Sequence, residues 1–532
     1  MTEIATPPLH ARPWTRALLD GRIGFVVFAA LFVVTLYVQL TSLINHDTAW
    51  YLHAVDAFLD GGRLYQDVFF EVNPPLALFL TVPPVYLARA TGLFPADVFF
   101  LYVFGLIVFS LLLIRHLLAG PPGLPLAFRR GLLFAAMLAL AVCPARGFAE
   151  REHLLLVATL PYLMLAARRG SGADCGRTLG VLVGVMAALG FSLKPHFFLI
   201  PVALELYLLV KRRRLGGAFR PETLGLAAAV LLYGLAILLV TPEYLTRVVP
   251  YALKVYNNAF ENPVALVVWR QETFLLPLVV VLNRTLRRRA GYKEFADVFC
   301  IAAACFFLVY LLQMKGWEYQ LYPTGASLVL ALGALLSAAV SAPPENATSS
   351  PKSTRIAGVL LAATVFLASL TGAALWRGGY QNALAQSMVP IVREHAAGKA
   401  IYVFSTKVSA AFPLVNYARV GWSSRFPTLW LLPGLERHSR SLSEHASAEE
   451  RALLDEIRQF VVDAVVSDFE ALPPALVIVD VRRDKHYFGG LELDYIDYFT
   501  VDPRFAVIWS RYEPIERLGN YRIFKLRAGG AS

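Results

Sequence analysis

From about residue 23 to residue 375 the chain repeats one pattern, apolar runs separated by short loops. Each run is roughly 20 residues long, the length that crosses the hydrocarbon core of a bilayer. In lipid such a run satisfies its backbone hydrogen bonds internally as a helix. The pattern therefore limits most of the chain to a bundle of membrane helices. Composition agrees: 57% of the 532 residues are hydrophobic and only 16% charged, unlike soluble globular domains. After Leu375 a polar, charged segment continues to Ser532.

The net charge of +11 would point to a polyanion in a soluble protein, but here the excess sits in loops between apolar runs. It marks topology, not a nucleic-acid site. Arg12, Arg16 and Arg22 precede a first span at residues 23–44 and place the N-terminus in the cytoplasm. Basic loops at residues 115–130, 168–177, 211–214, 284–289 and 352–355 belong on the same side, so the intervening turns face outward. Only an odd number of crossings fits between the first outer loop and the loop at 115–130. The run at 75–90, interrupted by Pro83 and Pro84, is therefore expected to be a juxtamembrane or re-entrant helix pair that does not span. About eleven spans and an external C-terminus result. The first apolar run lacks a small-residue cleavage site and is expected to remain as the first helix. Cys143, Cys175, Cys300 and Cys305 lack metal-type spacing, so neither a disulfide framework nor a thiolate metal site is expected.

The fold expected is a polytopic α-helical membrane protein, residues 1–375, with a first outer loop at 45–96, followed by an extracytoplasmic (periplasmic) α/β domain, residues 376–532. In that tail "KAIYVFS", "ALVIVD", "FAVIWSRY" and "YRIFKL" read as strands. "SAEERALLDEIRQFVVDAVV" reads as an amphipathic helix with Leu453, Ile457, Phe460 or Val461, and Ala464 on one face, opened by a capping box of Ser447 and Glu450. The stretch "SAPPENATSSPKST" is a low-complexity linker on the cytoplasmic side, where the glycosylation-like Asn346 would not be used.

The first outer loop, "INHDTAWYLHAVDAFLDGGRLYQDVFFEVNPPLALFL", sets acids and rings at the membrane face. Asp47 follows the first span directly, beside His46, and Asp56, Asp60, Asp67 and Glu71 come later. A carboxylate at the edge of low dielectric can have its pKa raised toward neutrality and act as a general base, although an acid at a helix end often only caps it. Trp50, Tyr51 and Tyr65 can stack on a sugar or sit in an aromatic belt. In "ARGFAEREHLLL", Glu150, Arg151, Glu152 and His153 form a set able to hold a divalent metal or a phosphate, with a solvated turn as the plain alternative. Lys194 and His196 in "GFSLKPHFFLIP" are cations on the outer side, where an anion is a plausible ligand. Lys315, Trp317 and Tyr319 in "QMKGWEYQLYP" put a cation beside aromatics. Arg270 and Glu272 can be a simple intramembrane pair.

The first outer loop resembles that of the GT-C superfamily of membrane glycosyltransferases, in particular the branch of protein O-mannosyltransferases and lipid A aminoarabinose transferases. The shared order is an acid after the first span, a Tyr, a Gly-containing turn, "Y-x-D-x-F" and a "P-P-L" run. "GFSLKP" is similar to the family's helix junction and "EREH" to its second acidic site. The resemblance covers about residues 20–340. It implies that Asp47 deprotonates an acceptor hydroxyl, which attacks the anomeric carbon of a polyprenyl-phosphate sugar with inversion. Arg151, Lys194 or a metal would neutralise the leaving phosphate. Asn73 stands where the family carries the lysine of "K-P-P-L", so that phosphate contact is missing here; Glu71 is left to bind acceptor or metal.

The function expected is thus sugar transfer from a polyprenyl-phosphate donor to a lipid, glycan or protein acceptor at the outer face of a bacterial inner membrane. A transporter or flippase of a lipid-linked glycan is the competing expectation; it calls for ionisable residues near the bilayer midplane.

Overall fold

The computed structural model describes residues 21–213, 219–286, 293–341, 368, 372–442 and 447–527, and it is mostly helical with one small sheet. The principal helices of the first part are α1 (Gly21–Leu40), α2 (His46–Leu59), α3 (Leu76–Thr91), α4 (Pro95–Ala119), α5 (Leu126–Met137), α6 (Arg151–Gly170), α7 (Arg177–Phe191), α8 (Leu199–Arg212), α9 (Pro221–Val240), α10 (Gln271–Leu286), α11 (Lys293–Gln313) and α12 (Glu318–Ser341). Among the described residues four are long and apolar enough to cross a membrane: α4, α9, α11 and α12. Shorter apolar helices include residues 24–40, 76–91 and 177–191. Arg12, Arg16, Arg214, residues 287–289, Lys352 to Arg355 and most of the low-complexity linker with Asn346 lie outside the described residues.

The expected break at Pro83 and Pro84 does not occur, since α3 runs unbroken through both. Each proline removes a backbone donor. Leu76, Leu78, Val85 and Ala88 bury one face of the helix, and that packing outweighs the loss. At about 1.5 Å per residue the 16-residue helix is about 24 Å long, short of the roughly 30 Å of a hydrocarbon core. Helices α7 and α9 cross closely through Gly180 and Gly184, spaced four apart, where a side chain on Gly184 would collide with the Glu222 backbone. At one end of this crossing Arg169 donates to both oxygens of Glu222, at 2.8 and 2.9 Å, and Arg220 donates to Glu222 at 2.9 Å.

The tail contains α13 (Ala383–Ala396), α14 (Ala448–Ala471) and the strands β1 (Ala400–Phe404), β2 (Gly421–Trp422), β3 (Leu476–Asp480), β4 (Tyr512–Leu518) and β5 (Tyr521–Leu526). The sheet order is β2-β1-β3-β5-β4, parallel across β2-β1-β3 and antiparallel beyond. β1 and β3 are buried at every residue, as parallel strands covered on both faces are. "FAVIWS" is not a strand: residues 503–509 form a helix, because Asp502 accepts from the Arg504 N–H as N-cap and Pro503 fits the first helical position. Ser447 caps α14 by accepting from the Glu450 N–H at 3.1 Å. The Glu450 carboxylate turns outward to Lys254 and to His438, which it meets at 2.9 Å.

The tail grips residues 44–70 at several points. The Ile44 N–H donates to Tyr417 Oη at 3.1 Å, Asn416 Nδ2 to the Ala49 carbonyl at 3.0 Å, and Trp430 Nε1 to the Phe70 carbonyl at 3.0 Å. The Phe70 N–H reaches the Arg425 carbonyl at 2.7 Å. One apolar core runs from the helices into the tail.

Candidate active site

Helix α2 begins at His46 because the Asn45 side chain accepts from the Asp47 N–H at 2.9 Å, which puts Asp47 in the first turn, where the helix dipole favours a carboxylate. Helix α6 begins at Arg151, after a turn in which Ala145 and Ala149 adopt left-handed backbone. Tyr65, Phe69 and Met314, also not glycine, share that conformation in loops around the same site. Such strain persists where surrounding structure over-determines the backbone, and it gathers at functional sites. The two helix starts bring Arg151 Nη2 to 2.7 Å from Asp47 Oδ2, while Arg151 Nη1 donates to Tyr51 Oη at 3.1 Å.

This ion pair stands on the wall of a cavity of about 810 Å³. Of the residues singled out in the sequence, His46, Asp47, Glu71, Glu150, Arg151, Arg270, Glu272, Trp317 and Tyr319 line it. One side continues along α12, where Leu321, Gly325, Ala326 and Val329 form an apolar strip. The opposite wall comes from the tail, with Thr406, Lys407, Thr428 and Tyr487. Thr406 and Lys407 follow the carboxyl end of β1, the edge of a parallel sheet where ligands commonly bind.

The remaining candidates are packed behind this wall. Lys194 Nζ donates to Glu152 Oε1 at 2.5 Å and lies 5.6 Å from the centre of the Tyr319 ring. Lys315 Nζ sits 3.8 Å from the centre of the Tyr256 ring and 5.1 Å from that of Trp317, two residues that do line the cavity. His196 is half-buried, and its Nε2 has no hydrogen-bond partner among the described residues. Trp50 is a core residue, stacked on Phe69 and set edge-on to Phe412. Tyr65 is fully buried and donates to the Asn73 carbonyl at 2.9 Å.

Glu150, Glu152 and His153 do not assemble a metal site. His153 is fully buried with both ring nitrogens engaged, Nδ1 accepting from the Ala149 N–H at 2.8 Å and Nε2 facing the Leu140 carbonyl at 2.7 Å. Glu152 belongs to Lys194, and among the described residues no group of three His, Cys, Asp or Glu can hold an ion. Of the three, Glu150 alone faces the cavity, and its buried Oε2 lacks a hydrogen-bond partner among the described residues.

The electrostatics differ from the expectation of a raised Asp47 pKa. Burial pulls the Asp47 carboxyl up, but Arg151, His46 and Lys194 outweigh it and hold the group below its ordinary value. Glu150 moves the other way, pushed well up by burial and by the charges of Asp47 and Glu152. Burial also raises Glu71, whose Oε1 accepts from Asn73 Nδ2. Burial, with Lys194 and Arg151 nearby, pushes Lys315 down to about 7, and His196 falls to about 3 mainly through burial. The cavity therefore sets Asp47, held in its charged form, beside Glu150 and Glu71, both pushed toward neutrality, the pattern that separates acid from base roles.

No protein-family profile matches the chain, and no curated protein matches it in sequence. Among solved structures, ArnT from Cupriavidus metallidurans bound to undecaprenyl phosphate is 14% identical, with a TM-score of 0.54, over 96% of this chain and 99% of ArnT. The apo form of the same protein gives a TM-score of 0.52 at 14% identity, over 95% and 98% of the two chains. The archaeal oligosaccharyltransferase AglB from Archaeoglobus fulgidus gives 0.47 at 12% identity, over 92% of this chain and 72% of its own, too low to define a shared fold. The chain has the fold of ArnT.

Sequence reasoning missed the tail's share of the cavity and the setting of Arg270. Arg270 lines the cavity, donates to the Gly316 carbonyl at 2.7 Å through Nη2, and has a buried Nε without a hydrogen-bond partner among the described residues. The lone arginine among apolar residues in "VVWRQETF" was the available signal.

Proposed function

We propose that the protein is an inverting glycosyltransferase that moves a sugar from a polyprenyl-phosphate donor to an acceptor hydroxyl at the outer face of a bacterial inner membrane. Residues 1–375 form the catalytic membrane part with about eleven spans, and residues 376–532 form an extracytoplasmic domain that closes the site. The observation that carries this reading is the Asp47–Arg151 pair on the wall of a cavity with one apolar side and one polar, tail-derived side. The apolar strip of α12 suits a polyprenyl chain and the polar wall suits a water-borne acceptor. That ArnT, whose fold the chain shares, is seen bound to undecaprenyl phosphate supports a lipid phosphate in this cavity.

In this reaction Asp47 takes the acceptor proton while the acceptor oxygen bonds to the anomeric carbon and the bond from that carbon to the phosphate oxygen breaks. The electron pair leaves with the lipid phosphate, so one displacement inverts the anomeric centre. With its pKa held low, Asp47 is a weak base that takes the proton late, as the new bond makes the hydroxyl acidic. Arg151 and Arg270 flank the site of developing phosphate charge. Glu150, pushed toward its neutral form, offers a hydrogen-bond donor to the sugar.

Purified protein in liposomes, given a panel of polyprenyl-phosphate sugars, should transfer one of them to an acceptor with inverted configuration. No transfer from any donor, together with movement of a labelled lipid-linked glycan across the bilayer, would replace this reading with a flippase.

A further inference from the structure

His46 lines the cavity beside Asp47, and its two ring nitrogens face different partners. Nδ1 lies 3.1 Å from Tyr380 Oη, and Nε2 lies 3.6 Å from Asp47 Oδ1. Asp47 Oδ2 is already taken by Arg151. Tyr380 is held in place from the other side, since its carbonyl accepts from the Leu43 N–H at 3.2 Å. The neighbouring Gly379 packs so closely on Ser42 that any side chain there would collide with it. Residues 42–46 and 379–380 are thus clamped together where the chain leaves its last described membrane-side helix (residues 372–377) for the tail.

We infer that Tyr380 and His46 form a positioning chain for the catalytic carboxylate, Tyr380 O–H donating to His46 Nδ1 so that His46 presents Nε2–H to Asp47. The inference rests on the transferase reading of the same site. A carboxylate beside Nε2 selects the tautomer with the proton there, which leaves Nδ1 as the acceptor that Tyr380 needs. The guanidinium then holds one Asp47 oxygen by a hydrogen bond at 2.7 Å and the imidazole N–H faces the other at 3.6 Å, close enough to tighten onto it when the acceptor binds. The charged groups around the pair are Arg151 and Glu150 at the start of α6, Lys194 after α7, Glu71 in the first outer loop and Lys407 from the tail. Burial, Arg151 and Lys407 hold His46 below its ordinary pKa despite Asp47, which favours the neutral ring that donates through one nitrogen and accepts through the other.

The test compares wild type with His46→Gln and Tyr380→Phe in the reconstituted protein, with nitrogen-15 histidine shifts recorded on each. The kcat should fall about tenfold in Tyr380→Phe and about 10–100-fold in His46→Gln, with the donor KM within about twofold. In both, the acid limb of the kcat/KM profile should move to higher pH, because Asp47 loses a donor that favours its charged form. The nitrogen-15 signal that His46→Gln removes should show a protonated Nε2 and a hydrogen-bonded, unprotonated Nδ1. Unmoved acid limbs and a kcat within twofold of wild type, or an Nδ1–H tautomer, would overturn the chain. If His46→Gln does not fold, Tyr380→Phe carries the same test. If wild type transfers no sugar, the transferase reading has failed, and the tautomer still decides the hydrogen bonds.

Discussion

Arg151 and Asp47, 104 positions apart, meet at 2.7 Å and join the first turns of α2 and α6 on one cavity wall. The guanidinium favours the charged carboxylate, so its removal should raise the Asp47 pKa. In Arg151→Met the acid limb of the pH–rate profile should therefore rise, and kcat should drop about 100-fold or more. A variant with the wild-type acid limb would show that the pair does not set the base.

Lys315 Nζ lies against the Tyr256 and Trp317 rings, and burial with Lys194 and Arg151 nearby pushes its pKa down to about 7 despite Glu71 and Glu261. Its charge is lost as pH rises through that value. If the ammonium attracts the donor phosphate through the Tyr256–Trp317 wall, the donor KM should rise between about pH 6 and 8. Lys315→Met should show a raised KM and no such dependence; an unchanged slope in the variant would assign the dependence elsewhere.

Trp50 and His153 are core residues, not substrate or metal contacts. Trp50→Ala should cost about 3–5 kcal/mol of stability by opening a cavity beside Phe69 and Phe412, with donor KM unchanged in protein that remains folded. A selective rise in KM without loss of stability would restore Trp50 as a sugar platform.

For His153→Phe, the Ala149 N–H and Leu140 carbonyl lose their partners, at about 1–3 kcal/mol each. Melting temperature should fall, and any divalent-ion dependence of turnover should match wild type. A changed metal affinity would return His153 to a ligand set.

The mostly helical character of the first part was legible because hydrophobic run length acts locally along the chain. Asp47, Glu71, Glu150 and Arg151 were legible as polar residues at the ends of apolar runs, and they do line one cavity. What the sequence could not show was burial. Lys194 and Glu152, 42 positions apart, consume one another, and Tyr65 and Trp50 turn into the core against Tyr244 and Phe412, so partners far along the chain decide which face a side chain takes. The "FAVIWS" segment failed for a local reason: the Asp502 cap and Pro503 outweighed β-branched composition. The fall in the Asp47 pKa required Arg151 in three dimensions, since burial alone would have raised it.

The most direct test is sugar transfer by wild type and Asp47→Asn in liposomes carrying the preferred polyprenyl-phosphate sugar. The substitution keeps size and helix start while removing the proton acceptor. The account predicts a loss of at least about 1,000-fold in kcat with donor binding retained. Full transfer by a folded Asp47→Asn protein would contradict it.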